Sequence, residues 1–200
     1  LQSGREGILM SGTFAQVLNE GSIVSGSSAV RSSGSTVAAF VQNTGMMQGT
    51  TSLGTVNLVG DGARVVNAGD ISNVDALGHA IFLSGELSDI TNRGTLYSDR
   101  FAIRMDGDEN EIRNAGTIEG GLFFRGDEIE VFNAGVWNAG EGGIRSAGVT
   151  GSLIENTGTL TATSIQFSGA GNRIKNTGEI TTLGDWDIAG NGGHSVVNRG

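Results

Sequence analysis

Apolar residues alternate with polar ones in short runs along this chain, and the runs themselves repeat. An asparagine returns as Asn19, Asn43, Asn67, Asn92, Asn114, Asn133, Asn156, Asn176 and Asn198, at steps of 24, 24, 25, 22, 19, 23, 20 and 22 residues. Two positions before it stands Val or Ile every time: Val17, Val41, Val65, Ile90, Ile112, Val131, Ile154, Ile174 and Val196. Two positions after it stands Gly, and four after it a large apolar residue such as Ile71, Leu96, Ile118 or Trp137. A second Gly leads each Asn by seven to nine residues (Gly12, Gly34, Gly60, Gly85, Gly107, Gly126, Gly148, Gly169, Gly190), with apolar residues four and usually two positions ahead of it. Ser32 and Ser146 break that last column.

Period two means strand, because successive side chains of a strand point to opposite faces. No run is long enough, or spaced correctly, for a stable helix. Three strands of about five residues, each ended by a corner, make one turn of about 22 residues. Stacking such turns gives an all-β fold, a single-stranded right-handed parallel β-helix (β-solenoid) with three short strands per turn. About eight turns at the usual strand spacing make a rod of about 40 Å. Residues 1–200 read as a single solenoid segment of something longer.

Composition fits this picture. The chain has 200 residues with 35 Gly, no Pro and no Cys. Glycine without proline belongs to tight corners rather than to a linker. At 37% hydrophobic residues the chain can build a core. Absence of Cys excludes disulfides and thiolate metal sites. The formal net charge of −9 argues against a nucleic-acid partner held through phosphates. There is no run of about 18 apolar residues to cross a membrane as a helix, and no signal peptide.

In the segment NAGTIEGG (114–121), Gly116 is expected to give freedom at a corner where a Cβ would clash. Asn114 suits a bend through its tolerance of left-handed backbone angles, and stacked amides can bond from turn to turn. The asparagine column is thus read as architecture, not catalysis. The stretches IRNAGTIEG, IENTGTLTA and IKNTGEITT resemble the parallel β-helix repeats of bacterial secreted adhesins, the autotransporter passengers and filamentous-haemagglutinin-like proteins. That resemblance covers essentially the whole chain. It implies a stalk, adhesin or fibre outside the bacterial cell or on its surface.

Enzymes also use this scaffold. A glycosidase needs two carboxylates across a cleft, and a lyase a base beside acidic ligands. No turn departs far from 22 residues, which leaves little chain for groove walls. His79 and His194 lie in different turns without metal or triad spacing, and read as surface residues. No catalytic residue and no required cofactor are therefore expected. The enzyme remains an alternative function.

The sharpest local feature is acidic. Asp61, Glu86, Asp108 and Asp127 follow the second Gly in four successive turns, with Glu109 and Glu128 next to them and Asp89, Glu111 and Glu130 two positions further on. Stacked like charges repel. One reading is a solvated face balanced by Arg64, Arg104, Arg113 and Arg125. The other is a Ca²⁺ strip held by Asp108, Glu109, Asp127 and Glu128, which makes a calcium-dependent binding module a further alternative. The tripeptide Arg125–Gly126–Asp127 sits at a tight corner where the repeat already demands the glycine. Trp137 and Trp186 fall in core columns. Phe82, Phe123, Phe132, Leu9, Leu18, Val66 and Val197 fall on outward positions, more apolar surface than a lone stalk needs. Neither end shows a cap, so the expected partners are further repeats, or copies of the chain end to end, with a cell-surface or polysaccharide ligand.

Overall fold

The computed structural model describes residues 1–34, 36–184, 186–188 and 192–200, with only the backbone at 186–188. The second-glycine position Gly190 and the side chain of Trp186 therefore lie outside the described residues. The fold is an all-β parallel solenoid of about nine turns with a period of about 22 residues. The single helical element among the described residues is a 3-10 turn at Gly140–Gly142. Among the described residues no helix is long and apolar enough to cross a membrane.

Each turn has three faces. The strands that end in the repeated asparagine, from Gln16–Asn19 to Ser195–Asn198, form one nine-stranded parallel sheet. We call this the asparagine face. The other two faces are joined into one 16-stranded sheet, because Thr95–Asp106 and Thr117–Arg125 run without a break through the corner between them. We call that corner the open corner. The corner that follows the second Gly and leads into the asparagine face is the glycine corner.

Pairing register turns each sequence column into a vertical stack. Ile112 stands opposite Val131, and Val131 opposite Ile154. Leu96, Ile118, Trp137 and Leu160 stack in the same way on the next face. On the third, Ile81, Ile103, Leu122 and Ile144 are consecutive neighbours. From Val30 to Ile174 these columns are almost fully removed from solvent. At ~1.5–3 kcal/mol per buried aliphatic side chain, this core is the main stabilising contribution. The polar exceptions are satisfied: Ser32 Oγ accepts the Val59 N–H at 2.6 Å, and Ser146 Oγ accepts the Ser168 N–H at 3.1 Å.

From Asn19 to Asn176 the asparagines are buried on the inner side of their strands, not placed at a left-handed bend. Each side-chain amide donates to the amide oxygen one turn on: Asn92 to Asn114, Asn114 to Asn133 and Asn133 to Asn156, at 2.7–2.8 Å. The ladder runs unbroken from Asn19 to Asn198, always with Nδ2 donating toward the later turn. Each Nδ2 also donates to the carbonyl of the glycine two positions on in its own turn. A buried amide without partners is costly, and this arrangement provides them.

Glycine's two roles are divided differently from the expectation. Gly116 has no positive φ. A Cβ on it would instead run into the carbonyl of Gly94 one turn below. Thr117 N–H donates to that same carbonyl at 2.9 Å. Conformational freedom is needed at the second glycine, where Gly107 has φ +125°. Two residues on, the chain passes through a left-handed residue in turn after turn. Phe14, Leu87, Glu109 and Glu128 adopt φ between 54° and 58° there without being glycine, and Ala38, four residues after Gly34, adopts 53°.

Candidate functional site

The acidic strip lies along this glycine corner, and its aspartates bond to the backbone. Asp61 Oδ1 accepts the Glu86 N–H at 2.9 Å, Asp108 Oδ1 the Asp127 N–H at 2.8 Å, and Asp127 Oδ1 the Thr150 N–H at 2.7 Å. Glu109 and Glu128 are the left-handed residues of the corner, and both are exposed. Asp108, Glu109, Asp127 and Glu128 are thus neighbours through their backbones. Among the described residues no group of three or more Asp, Glu or His side chains gathers to hold a metal ion. On the asparagine face Asp89, Glu111 and Glu130 do stand in register, with Glu111 paired to Arg113. In the Arg125–Gly126–Asp127 tripeptide both charged side chains are engaged, Arg125 lying over the Phe123 ring.

A cleft is found elsewhere, at the open corner. Here the turns differ in length. Residues 50–53 and 74–78 loop outward in two consecutive turns, whereas Thr95–Asp106 passes straight through. Its register against Thr117–Arg125 shifts between Tyr97 and Phe101 and again before Ile103, a bulge that brings Arg100 to the surface. Gly142, in the 3-10 turn two turns later, closes on the Arg100 carbonyl where no Cβ would fit. Two adjoining cavities of about 300 and 320 Å³ result, and Arg100 and Arg145 line both. Ser52, Leu77 and His79 wall the first, and Asp99 and Glu141 the second.

The floor of this cleft is a column of alternating rings and guanidiniums. Phe82, Arg104, Phe123 and Arg145 are consecutive cross-strand neighbours on the outer face. The Arg104 guanidinium lies 4.8 Å from the Phe82 ring centre and 5.8 Å from that of Phe123. It also reaches Asp106, at 2.7 Å. Arg100 lies 5.0 Å over Phe101, which packs against Phe123 with 5.7 Å between ring centres. Such stacking attracts the cation to the ring face and leaves the in-plane N–H groups free. Phe82 and Phe123 do point outward, but the protein's own arginines cover them and both are half-buried.

His79 is not the surface residue its spacing suggested. It is 7% exposed, with Nδ1 3.1 Å from the Phe101 carbonyl oxygen. A carbonyl can only accept, so Nδ1 carries the proton. Burial pushes the imidazole below its ordinary pKa, the Phe101 bond opposes that, and the Arg104 cation adds to the lowering. Tyr97 donates its hydroxyl to Asp99, which raises the pKa of Tyr97.

The sequence pointed to Phe82 and Phe123 as outward apolar residues, and to Arg104 as a counter-charge of the acidic strip. Reading the row three residues before the second Gly would have shown Phe82, Arg104, Phe123 and Arg145 together. Nothing in the period marks Arg100, which sits in a bulge outside every column. No family model, curated protein or solved structure matches the chain.

Proposed function

We propose that the chain is a structural and adhesive segment of a bacterial extracellular or cell-surface protein. Its work is mechanical: a stiff rod holds a lateral face at a distance and presents it to a surface, a sister rod or a ligand. The observation that carries this reading is the asparagine ladder, unbroken over nine asparagines. It couples each turn to the next inside the core, in addition to the backbone ladders on the faces. Every step has the same donor direction, so another turn of the same pattern extends it. Further solenoid repeats, or copies of the chain end to end, are therefore the partners this reading favours. No residue does covalent chemistry in it.

Stretching a single chain between its termini tests the mechanical part. Turns that unpeel one after another lengthen the chain in steps of roughly 70–80 Å, the extended length of about 22 residues. A single cooperative collapse without steps sinks the rod. The adhesive part predicts that beads coated with the chain bind to cells where uncoated beads do not.

A further inference from the structure

The cleft at the open corner has the chemistry of a ligand site that architecture does not need. Arg100 and Arg145 both line the two cavities, yet neither side chain has a hydrogen bond or an ion pair among the described residues. The Nε of Arg145 is shut off from solvent without a partner. A guanidinium donor in that position lacks the acceptor that buried donors normally find. Meanwhile Arg100 is held by its stacking on Phe101, and Phe123 stands beside Arg145 in register. The Arg100 donors are thus set in place before any anion arrives, which lowers the ordering cost of binding.

The rest of the lining narrows the ligand. Paired guanidiniums suit a planar carboxylate, which takes two parallel N–H bonds. Asp99 and Glu141 lie beside the same two arginines in the second cavity. They accept hydrogen bonds from hydroxyl groups and repel a second anionic group. A chain with net charge −9 adds to that bias against dense polyanions. The cavities are of the size that small-molecule sites have.

We propose that this cleft binds a sugar carboxylate, a single uronate-type unit, with Arg100 and Arg145 gripping the carboxylate and Asp99 and Glu141 taking ring hydroxyls. This deepens the adhesive reading by naming what the rod holds, and rests on it only for the biological setting. The test is a titration of the isolated chain with sodium D-glucuronate, followed by NMR of the arginine side-chain N–H groups. The Arg100 and Arg145 signals shift and saturate with glucuronate. D-glucose leaves them in place, and sodium sulfate at matched ionic strength shifts them at least tenfold more weakly. The double variant R100Q/R145Q loses at least tenfold in affinity with an unchanged melting temperature. Exposed Arg100→Gln alone loses several-fold, which keeps the test decisive should the double variant not fold. An equal response to sulfate reduces the cleft to a general cationic patch and overturns the proposal, as does a glucuronate titration that never saturates. Either failure leaves stepwise unpeeling untouched, and failure of unpeeling leaves the titration untouched.

Discussion

The asparagine face and the open corner are parts of the same turns under opposite constraints. Along the asparagine face each residue stands over its equivalent, with Asn92, Asn114 and Asn133 bonded in line and no room for a Cβ on Gly116. At the open corner the chain loops out at 74–78, bulges at Arg100 within an unbroken strand, and coils into a 3-10 turn at Gly140–Gly142. A repeat stays strict where an error breaks bonds in two neighbouring turns at once. It is free to vary where the chain meets water. In this protein the irregular corner carries two adjoining cavities lined by Arg100 and Arg145, as loops on a rigid scaffold commonly carry function.

The strongest attack on this contrast is Asn114→Ala against Leu77→Ala. Removing the Asn114 amide takes a partner from Asn92 Nδ2 and another from Asn133 Oδ1, both buried. At about 1–3 kcal/mol for each buried group left short, the loss is roughly 2–5 kcal/mol in urea unfolding. Leu77, 62% exposed on its loop, gives a change within about 0.5 kcal/mol. Comparable losses at both positions would erase the distinction.

The glycine corner offers a gain instead of a loss. Leu87 has φ 54° and is largely exposed. A left-handed L-residue costs about 1–2 kcal/mol, and glycine returns about 0.5–1 kcal/mol of that through unfolded-state entropy. Leu87→Gly is therefore expected to stabilise the chain by about 0.5–1 kcal/mol, read as a higher urea midpoint. A lower midpoint means that Leu87 makes contacts that outweigh the strain.

The smallest effect belongs to the open corner. The His79 pKa is lowered on folding, mainly by burial. The unfolded chain then binds a proton more readily than the folded one. The contribution of neutral His79 is fully present above the unfolded value of about 6.5 and is lost as pH falls from there through the lower folded value. His79→Gln flattens the stability profile over that window. An unchanged slope assigns it to another group.

Much of the cleft and of the glycine corner escaped the period, for reasons that particular residues make clear. Gly116 and Gly107 look alike in a sequence, and a carbonyl a turn away leaves neither room for a Cβ, yet only Gly107 also needs a positive φ. Stacking brings Asp108 and Asp127 one above the other, and in the fold Asp108 accepts the Asp127 backbone N–H, a use of carboxylates that composition cannot reveal. Arg100 follows from a bulge, and a bulge is settled by the strands on either side of it.

By itself the sequence determined the winding: three strands per turn, which columns face inward, and an asparagine stack. Each of these follows from local alternation copied at a near-constant period, so that residues one lap apart must meet. Only the tertiary structure decided what happens where the laps differ in length. There the position of a side chain depends on loops from neighbouring turns, and no repeat distance records how those loops leave a gap between Arg100 and Arg145.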